Sequence, residues 1–170
     1  MKLRKLQPKD APNMLSWMHD DSINRIFATN FKSFDEQKVL AFIESSQTDG
    51  ENLHRACVDA NDEYLGTISL KNINQTNKNA EYAISFCKKA HGTGAAKFAT
   101  DEIIKIAFQE LNLERVYLNV LSINERANAF YKKYGWTFEG SFKNHVSING
   151  EFCDLNWYRI LKSEIKRLSF

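Results

Sequence analysis

The stretch from Ala80 to Leu111 constrains this chain most. Ala80-Glu81-Tyr82-Ala83-Ile84-Ser85-Phe86-Cys87 alternates and is rich in aromatic and β-branched residues, which predicts a strand. Phe98, Ile103, Ile104, Phe108 and Leu111 recur at helical spacing and predict a long helix with one buried stripe. Between them, Lys88-Lys89-Ala90-His91-Gly92-Thr93-Gly94-Ala95-Ala96 holds two of the chain's seven glycines, so the loop between strand and helix is free to turn sharply. Strand, glycine loop and helix together make an anion site. The first N–H groups of a helix lack intrahelical partners, and the helix dipole favours negative charge there. The N–H groups of Gly92, Thr93, Gly94, Ala95 and Ala96 are therefore candidates to cradle a phosphate or pyrophosphate. A tight turn with surface glycines and no ligand is the alternative, and the loop by itself leaves both open.

Two other phosphate loops do not fit. A dinucleotide fingerprint needs a third glycine where Lys97 stands, and no Gly-Lys-Ser/Thr run follows a longer spacer. Composition removes further classes. A net charge of +2 and the lack of a long basic run argue against nucleic acid. No apolar run approaches the ~18 residues of a membrane span, and Met1 to Leu6 lacks the apolar core of a signal peptide. Cys57, Cys87 and Cys153 show no metal or Cys-x-x-Cys spacing. They read as reduced, buried thiols of a cytoplasmic protein. No His/Asp/Glu spacing suggests a metal.

Along the chain, Lys2 to Leu6 predicts a first strand and Ala11 to His19 a helix after Asp10 and Pro12. Ile23 to Phe27 is a short helix and Asp35 to Ser46 an amphipathic one. Leu53 to Asp59 and Tyr64 to Leu70 form a hairpin, Asn72 to Asn79 a turn, and Glu81 to Cys87 the next strand. Arg115 to Leu121 follows the long helix as a strand, which favours a parallel crossover. Ser122 to Tyr134 is a helix ended by Gly135. Trp136 to Ser147 and Phe152 to Leu161 are two last strands, joined at Ile148-Asn149-Gly150-Glu151, and Lys162 to Phe170 is a frayed helix. Without repeats or linkers, residues 1–170 read as one α/β (α+β) domain with a mixed sheet.

Two motifs carry a resemblance. Lys89-Ala90-His91-Gly92-Thr93-Gly94 resembles the Gln/Arg-x-x-Gly-x-Gly/Ala loop that opens the acyl-CoA site of GNAT N-acetyltransferases, with Lys in the first place. Asn124, Ala127, Tyr131, Gly135 and Trp136 are similar to the later Asn-x-x-Ala-x-x-x-Tyr-x-x-x-Gly-Phe pattern of that family, with Trp for Phe. Trp17-Met18-His19-Asp20-Asp21 and Ile148-Asn149-Gly150-Glu151-Phe152-Cys153-Asp154 resemble the RimJ/RimL branch. The resemblance implies a mostly antiparallel mixed sheet, flanked by helices and splayed between two central parallel strands. It implies acetyl-CoA as acyl donor, with the pantetheine arm pairing with backbone around Phe86 and Cys87. The acceptor it implies is a primary amine on a protein N-terminus, a polyamine or an amino sugar. A homodimer is among the assemblies consistent with it, and a non-catalytic acyl-CoA-binding module is the rival reading.

The resemblance also assigns roles. Tyr131 would protonate the leaving thiolate, against a purely packing role for its ring. Asn124 would hold the pantetheine or a water, against a simple helix cap. A backbone N–H near Phe86 or Cys87 would stabilise the oxyanion. Glu81 would be the base for the amine, against a solvated strand-end glutamate. Asp20, Asp21, Asp154 and Glu36 are candidates to hold a cationic substrate. His19 and His91 read as surface histidines.

Overall fold

The computed structural model describes residues 1–24, 27, 29–148 and 150–167. In chain order the elements are β1 (Lys2–Arg4), α1 (Ala11–Met18), α2 (Asp21–Asn24), α3 (Glu36–Ser45), β2 (Leu53–Val58), β3 (Tyr64–Asn74), β4 (Asn79–Phe86), α4 (Ala95–Lys105), β5 (Arg115–Leu121), α5 (Glu125–Tyr134), β6 (Thr137–Ile148) and β7 (Glu151–Leu161). The strands form one seven-stranded sheet in the order β1-β2-β3-β4-β5-β7-β6. Among the described residues, only β4 and β5 run parallel. This is the mixed, mostly antiparallel architecture expected.

The two faces of the sheet bury different layers. Alternate residues Ile68, Leu70, Ala80, Tyr82, Val116, Leu118, Tyr158 and Ile160 pack under α4 and its stripe of Ala95, Ala99, Ile103 and Ile104. The opposite face covers Ala56, Val58 and Tyr64 with Met14, Trp17 and Met18 of α1 and with Val39 and Ile43 of α3. That second layer stops short of β5 and β7, so the same face stays open over the middle of the sheet.

Several boundaries differ from expectation. Strand β3 runs on to Asn74 and pairs with Asn79, so the turn contracts to the four residues after it, with Lys78 at φ 52°. The long helix changes pitch after Lys105: Leu111 N–H reaches back to Ile106 O and closes a π turn over Ile106–Glu110. The expected helix at Ile23 to Phe27 begins earlier, at Asp21, and its Arg25 and Ile26 lie outside the described residues. So does Asn149 of the last hairpin turn, whose Gly150 has φ 86°. The tail forms a 3₁₀ turn over Lys162–Arg167, and residues 168–170 lie outside the described set. Cys57 and Cys87 are buried, but Cys153 is only partly so, because β7 is open on its outer face there. No helix among the described residues is long and apolar enough to cross a membrane.

One buried ion pair locks the start of the chain. Asp10, 1% exposed, accepts two hydrogen bonds from the Arg4 guanidinium at 2.8 Å and one from Gln7 N–H at 2.9 Å. Removing one partner strands a buried charge, which costs about 3–5 kcal/mol in such pairs. Because Arg4 keeps Asp62 as a second partner, Asp10→Ala is expected at the low end, about 3 kcal/mol. Urea unfolding checks this, and an unchanged midpoint would show that the pair adds nothing.

Candidate active site

The site begins where β4 and β5 part. Their parallel pairing covers Asn79↔Arg115, Ala80↔Val116 and Glu81↔Tyr117 and goes no further. Strand β4 continues to Phe86, still paired with β3 on its other side. Beyond Leu118, β5 stays bonded to β7 out to Leu121↔Leu155. A wedge therefore opens between the two strands.

Antiparallel alternation tells which backbone groups face the wedge. Cys87 N–H donates to Leu65 O at 2.9 Å, so Cys87, Ser85 and Ala83 direct their N–H and C=O groups to β3. The groups of Phe86 and Ile84 point the other way, into the wedge, where β5 no longer pairs. A ligand with amide groups can add to this edge as a strand would. The Phe86 backbone faces the wedge; that of Cys87 does not. Its N–H is already bonded, and its thiol turns into the layer under α1, 3.8 Å from Asn13 O. The thiol is also held above its ordinary pKa by burial, so it stays protonated and inert.

Phe86 depends on a glycine opposite. A Cβ on Gly66 would lie 2.5 Å from Phe86 Cγ and 2.5 Å from Ser85 O. Gly66→Ala therefore forces β3 and β4 apart at the wedge. We expect a loss of about 1–3 kcal/mol and a raised Michaelis constant for acetyl-CoA, measured by denaturation and steady-state kinetics. A variant with normal stability and kinetics would show that the strands absorb the methyl.

The glycine loop lies at the wide end of the wedge. Gly92 and Gly94 have φ 79° and 84°, the left-handed region that favours glycine. Gly94 caps α4, and its O accepts Phe98 N–H at 3.0 Å. Of the five predicted donors, Thr93 N–H makes a long bond of 3.4 Å to Ala90 O, and Ala95 N–H one of 3.3 Å to Thr93 Oγ1. Among the described residues, no partner takes the N–H groups of Gly92, Gly94 or Ala96. Three free donors at a helix N-terminus, reached past glycines, fit a pyrophosphate. Lys89 does not join them. Its Nζ sits 2.6 Å from Glu63 Oε1, on the far side of the loop.

Helix α5 supplies the facing wall. Arg126, Phe130 and Lys133 lie one and two turns apart on one face, and with Lys97, His91 and the loop they line a groove of about 570 Å³. The Arg126 guanidinium meets His91 Nδ1 at 2.5 Å; His91 is exposed, as expected, and also stands in the groove wall. Burial and Arg126 hold His91 below the ordinary histidine pKa. Sequence reasoning missed Arg126 and Lys133. Their seven-residue spacing, shared with Asn124 and Tyr131, was the available signal.

A second cleft of about 390 Å³ continues from this groove through the wedge to the open face of the sheet. Tyr131, Asn124, Phe86, Ile84 and Glu81 all line it. Tyr131 is 6% exposed, with its ring wedged among Tyr82, Trp136 and Tyr158 at 5.8–6.1 Å. Among the described residues its hydroxyl has no hydrogen-bond partner. Burial, with the Tyr158 phenol beside it, pushes its pKa well above that of free tyrosine. It therefore remains a proton donor at any physiological pH.

Asn124 caps α5, with its Oδ1 accepting Ala127 N–H at 3.1 Å, and it lines the cleft as well. Asn128 holds that cap in place. Its Nδ2 donates to Leu121 O and Asn124 O at 3.0 and 2.8 Å, and its Oδ1 accepts from Asn156 and Tyr158. Glu81 reaches the cleft, but Lys71 Nζ lies 2.7 Å from one carboxylate oxygen and Asn72 Nδ2 3.2 Å from the other. Among the described residues, no group of three or more His, Cys, Asp or Glu side chains is placed to hold a metal.

Comparison with known proteins agrees with this geometry. The acetyltransferase (GNAT) domain family matches residues 1–137. The chain is 30% identical over 157 residues to a spermidine N(1)-acetyltransferase of Escherichia coli, covering 89% of this chain and 81% of that protein. It is 29% identical over 140 residues to the spermidine N(1)-acetyltransferase of Vibrio cholerae, covering 81% and 79%. The fold superposes on a Vibrio cholerae spermidine N-acetyltransferase solved with CoA and spermine, with TM-score 0.86, 23% identity and 95% of each chain covered, a likeness of fold. A parted β4–β5 pair, a left-handed glycine loop with three free donors and a family match over most of the length lead to one conclusion: the chain belongs to the GNAT acetyltransferases and is an acyltransferase that takes acetyl-CoA as its acyl donor.

Proposed function

We propose that the chain acetylates the primary amine of a small, hydroxyl-bearing molecule of low charge, with an amino sugar the class that fits best. The observation that carries this reading is the charge inventory of the acceptor half of the cleft. Thr67, Ser69, Ser85 and Asn119 line it. Apart from Arg126 and His91, which also line the pyrophosphate groove, the charged side chains of the cleft among the described residues are Lys71 and Glu81, which neutralise each other.

A polyamine carries several ammonium groups, and each needs a carboxylate once water is excluded. The acids that the sequence offered are elsewhere or engaged. Asp20 pairs with Lys88 at 2.9 Å, Asp21 with Lys32, and Asp154 with Lys143 at 2.7 Å. Glu36 opens α3. None of the four lines the cleft. By contrast, hydroxyl and amide side chains on the floor suit a polyhydroxylated ring. Such a site discriminates, because an acceptor without hydroxyls leaves Ser85 and Asn119 unpaired among the described residues, while Thr67 and Ser69 keep Tyr64 and His54 as partners.

Catalysis then follows from the chain's own groups. The acyl donor supplies the thioester. The N–H groups of Ile84 and Phe86, which face the wedge, would stabilise its carbonyl oxygen as charge grows there. Tyr131 returns a proton to the departing sulfur.

Two relationships favour other acceptors. The 30% identity to a spermidine N(1)-acetyltransferase favours a polyamine. The likeness of Trp17 to Asp21 and Ile148 to Asp154 to the RimJ/RimL branch favours a protein N-terminus. A panel of amino sugars free and nucleotide-linked, spermidine, spermine and N-terminal peptides, read by thiol release, separates the three. The expected result is a kcat/KM for the best amino sugar at least about 10-fold above that for spermidine. A higher value for spermidine or a peptide overturns the amino-sugar assignment.

A further inference from the structure

We infer that Ser69 and His54 form the relay that takes the acceptor's proton out of the cleft, in place of Glu81. This rests on the amine-acetylation reading, whichever amine is used. Ser69 and His54 face each other across β2 and β3 as register partners, so both side chains stand on the face of the sheet that floors the acceptor cleft. Ser69 is 5% exposed and lines the cleft; its Oγ lies 2.7 Å from His54 Nδ1. The His54 ring is only partly buried and rests edge-on against Phe42 of α3, 4.9 Å between centroids, which fixes its orientation. The pair thus runs from inside the cleft towards the surface. Glu81, the alternative, has one carboxylate oxygen on Lys71 and the other on Asn72, so both are already engaged.

The electrostatics suit a relay. Burial lowers the His54 pKa below the ordinary histidine value, Lys71 and Arg55 lower it further, and Asp49 acts the other way while bonded to Arg55. At neutral pH the ring is uncharged. With its proton on Nε2, Nδ1 accepts the Ser69 O–H.

The chemistry balances. The neutral amine attacks the thioester carbonyl, a C–N bond forms, and the C=O pair moves onto oxygen. The nitrogen is now cationic and strongly acidic, so a weak base suffices. It gives its proton to Ser69 Oγ as the Ser69 proton passes to Nδ1, the imidazolium releases the Nε2 proton to water, and exchange with water returns the ring to its Nε2–H tautomer for the next turnover. The oxyanion re-forms C=O, the C–S bond breaks, and the sulfur takes the Tyr131 proton, which solvent restores. The net change is amine plus thioester to amide plus thiol.

The test is the pH profile of kcat/KM for the best amine of the panel, in wild type, Ser69→Ala, Ser69→Thr, His54→Gln and Glu81→Gln. In His54→Gln the introduced amide still accepts from Ser69 but does not titrate in this range. Ser69→Ala and His54→Gln are expected to lose about 10²-fold in kcat, with the Michaelis constant for acetyl-CoA and its thermal shift preserved. His54→Gln should also lose the acid limb set by the imidazole. Ser69→Thr should restore most of the rate, and Glu81→Gln should retain the limb. A His54→Gln profile that overlays the wild type, or a limb that vanishes in Glu81→Gln instead, overturns the relay alone. A wild-type enzyme that turns over no amine overturns the acceptor reading and the relay with it.

Discussion

Tyr131→Phe is expected to lower turnover by about 10²–10⁴-fold, the usual cost of losing a general acid, while barely changing the Michaelis constant for acetyl-CoA. The substitution removes one oxygen from a ring fixed by Tyr82, Trp136 and Tyr158. No hydrogen bond to a described residue is lost with it, so folding stability should hold. The effect then falls on the chemical step alone. Burial keeps the phenol protonated, and a leaving thiolate is the group that needs the proton. Initial-rate kinetics together with a melting curve check both halves. A normally folded Tyr131→Phe enzyme with full turnover would take Tyr131 out of the mechanism.

Gly94→Glu is expected to abolish the stabilisation that acetyl-CoA confers. A ligand that binds only the folded state at 100 times its Kd adds about 2.7 kcal/mol, seen as a rise in Tm. The introduced carboxylate would bring a negative charge to the cradle of free N–H groups at Gly92, Gly94 and Ala96. Gly94→Ala separates charge from strain. A Cβ there meets nothing within 4 Å, but φ is 84°. The alanine variant should therefore lose about 1–3 kcal/mol of stability from the left-handed backbone and keep a Tm shift with acetyl-CoA. A wild-type-sized shift in Gly94→Glu would place the pyrophosphate elsewhere.

Short-range physics accounts for what was readable in the chain. Alternation at Ala80 to Cys87, helical spacing from Phe98 to Leu111 and glycines at 92 and 94 act over a few residues, and local sterics decide them. The strand–loop–helix frame and the Asn124/Tyr131 face follow from that.

Availability is a different property, because each polar group is claimed by whatever the fold brings beside it. Glu81 is engaged because antiparallel register sets Lys71 opposite. Cys87 turns away because its N–H completes the ladder to Leu65, and Lys89 is drawn to Glu63 from the previous hairpin. Asp20, Asp21 and Asp154 each pair with a lysine away from the cleft. His54 and Ser69 are fifteen residues apart and carry no motif; only the pairing of β2 with β3 puts them 2.7 Å apart. The sequence alone determined the frame and the candidate chemistry, since backbone geometry and periodicity are local. The tertiary structure decided which side chains are free to use it, since long-range strand pairing and ion pairing assign the partners.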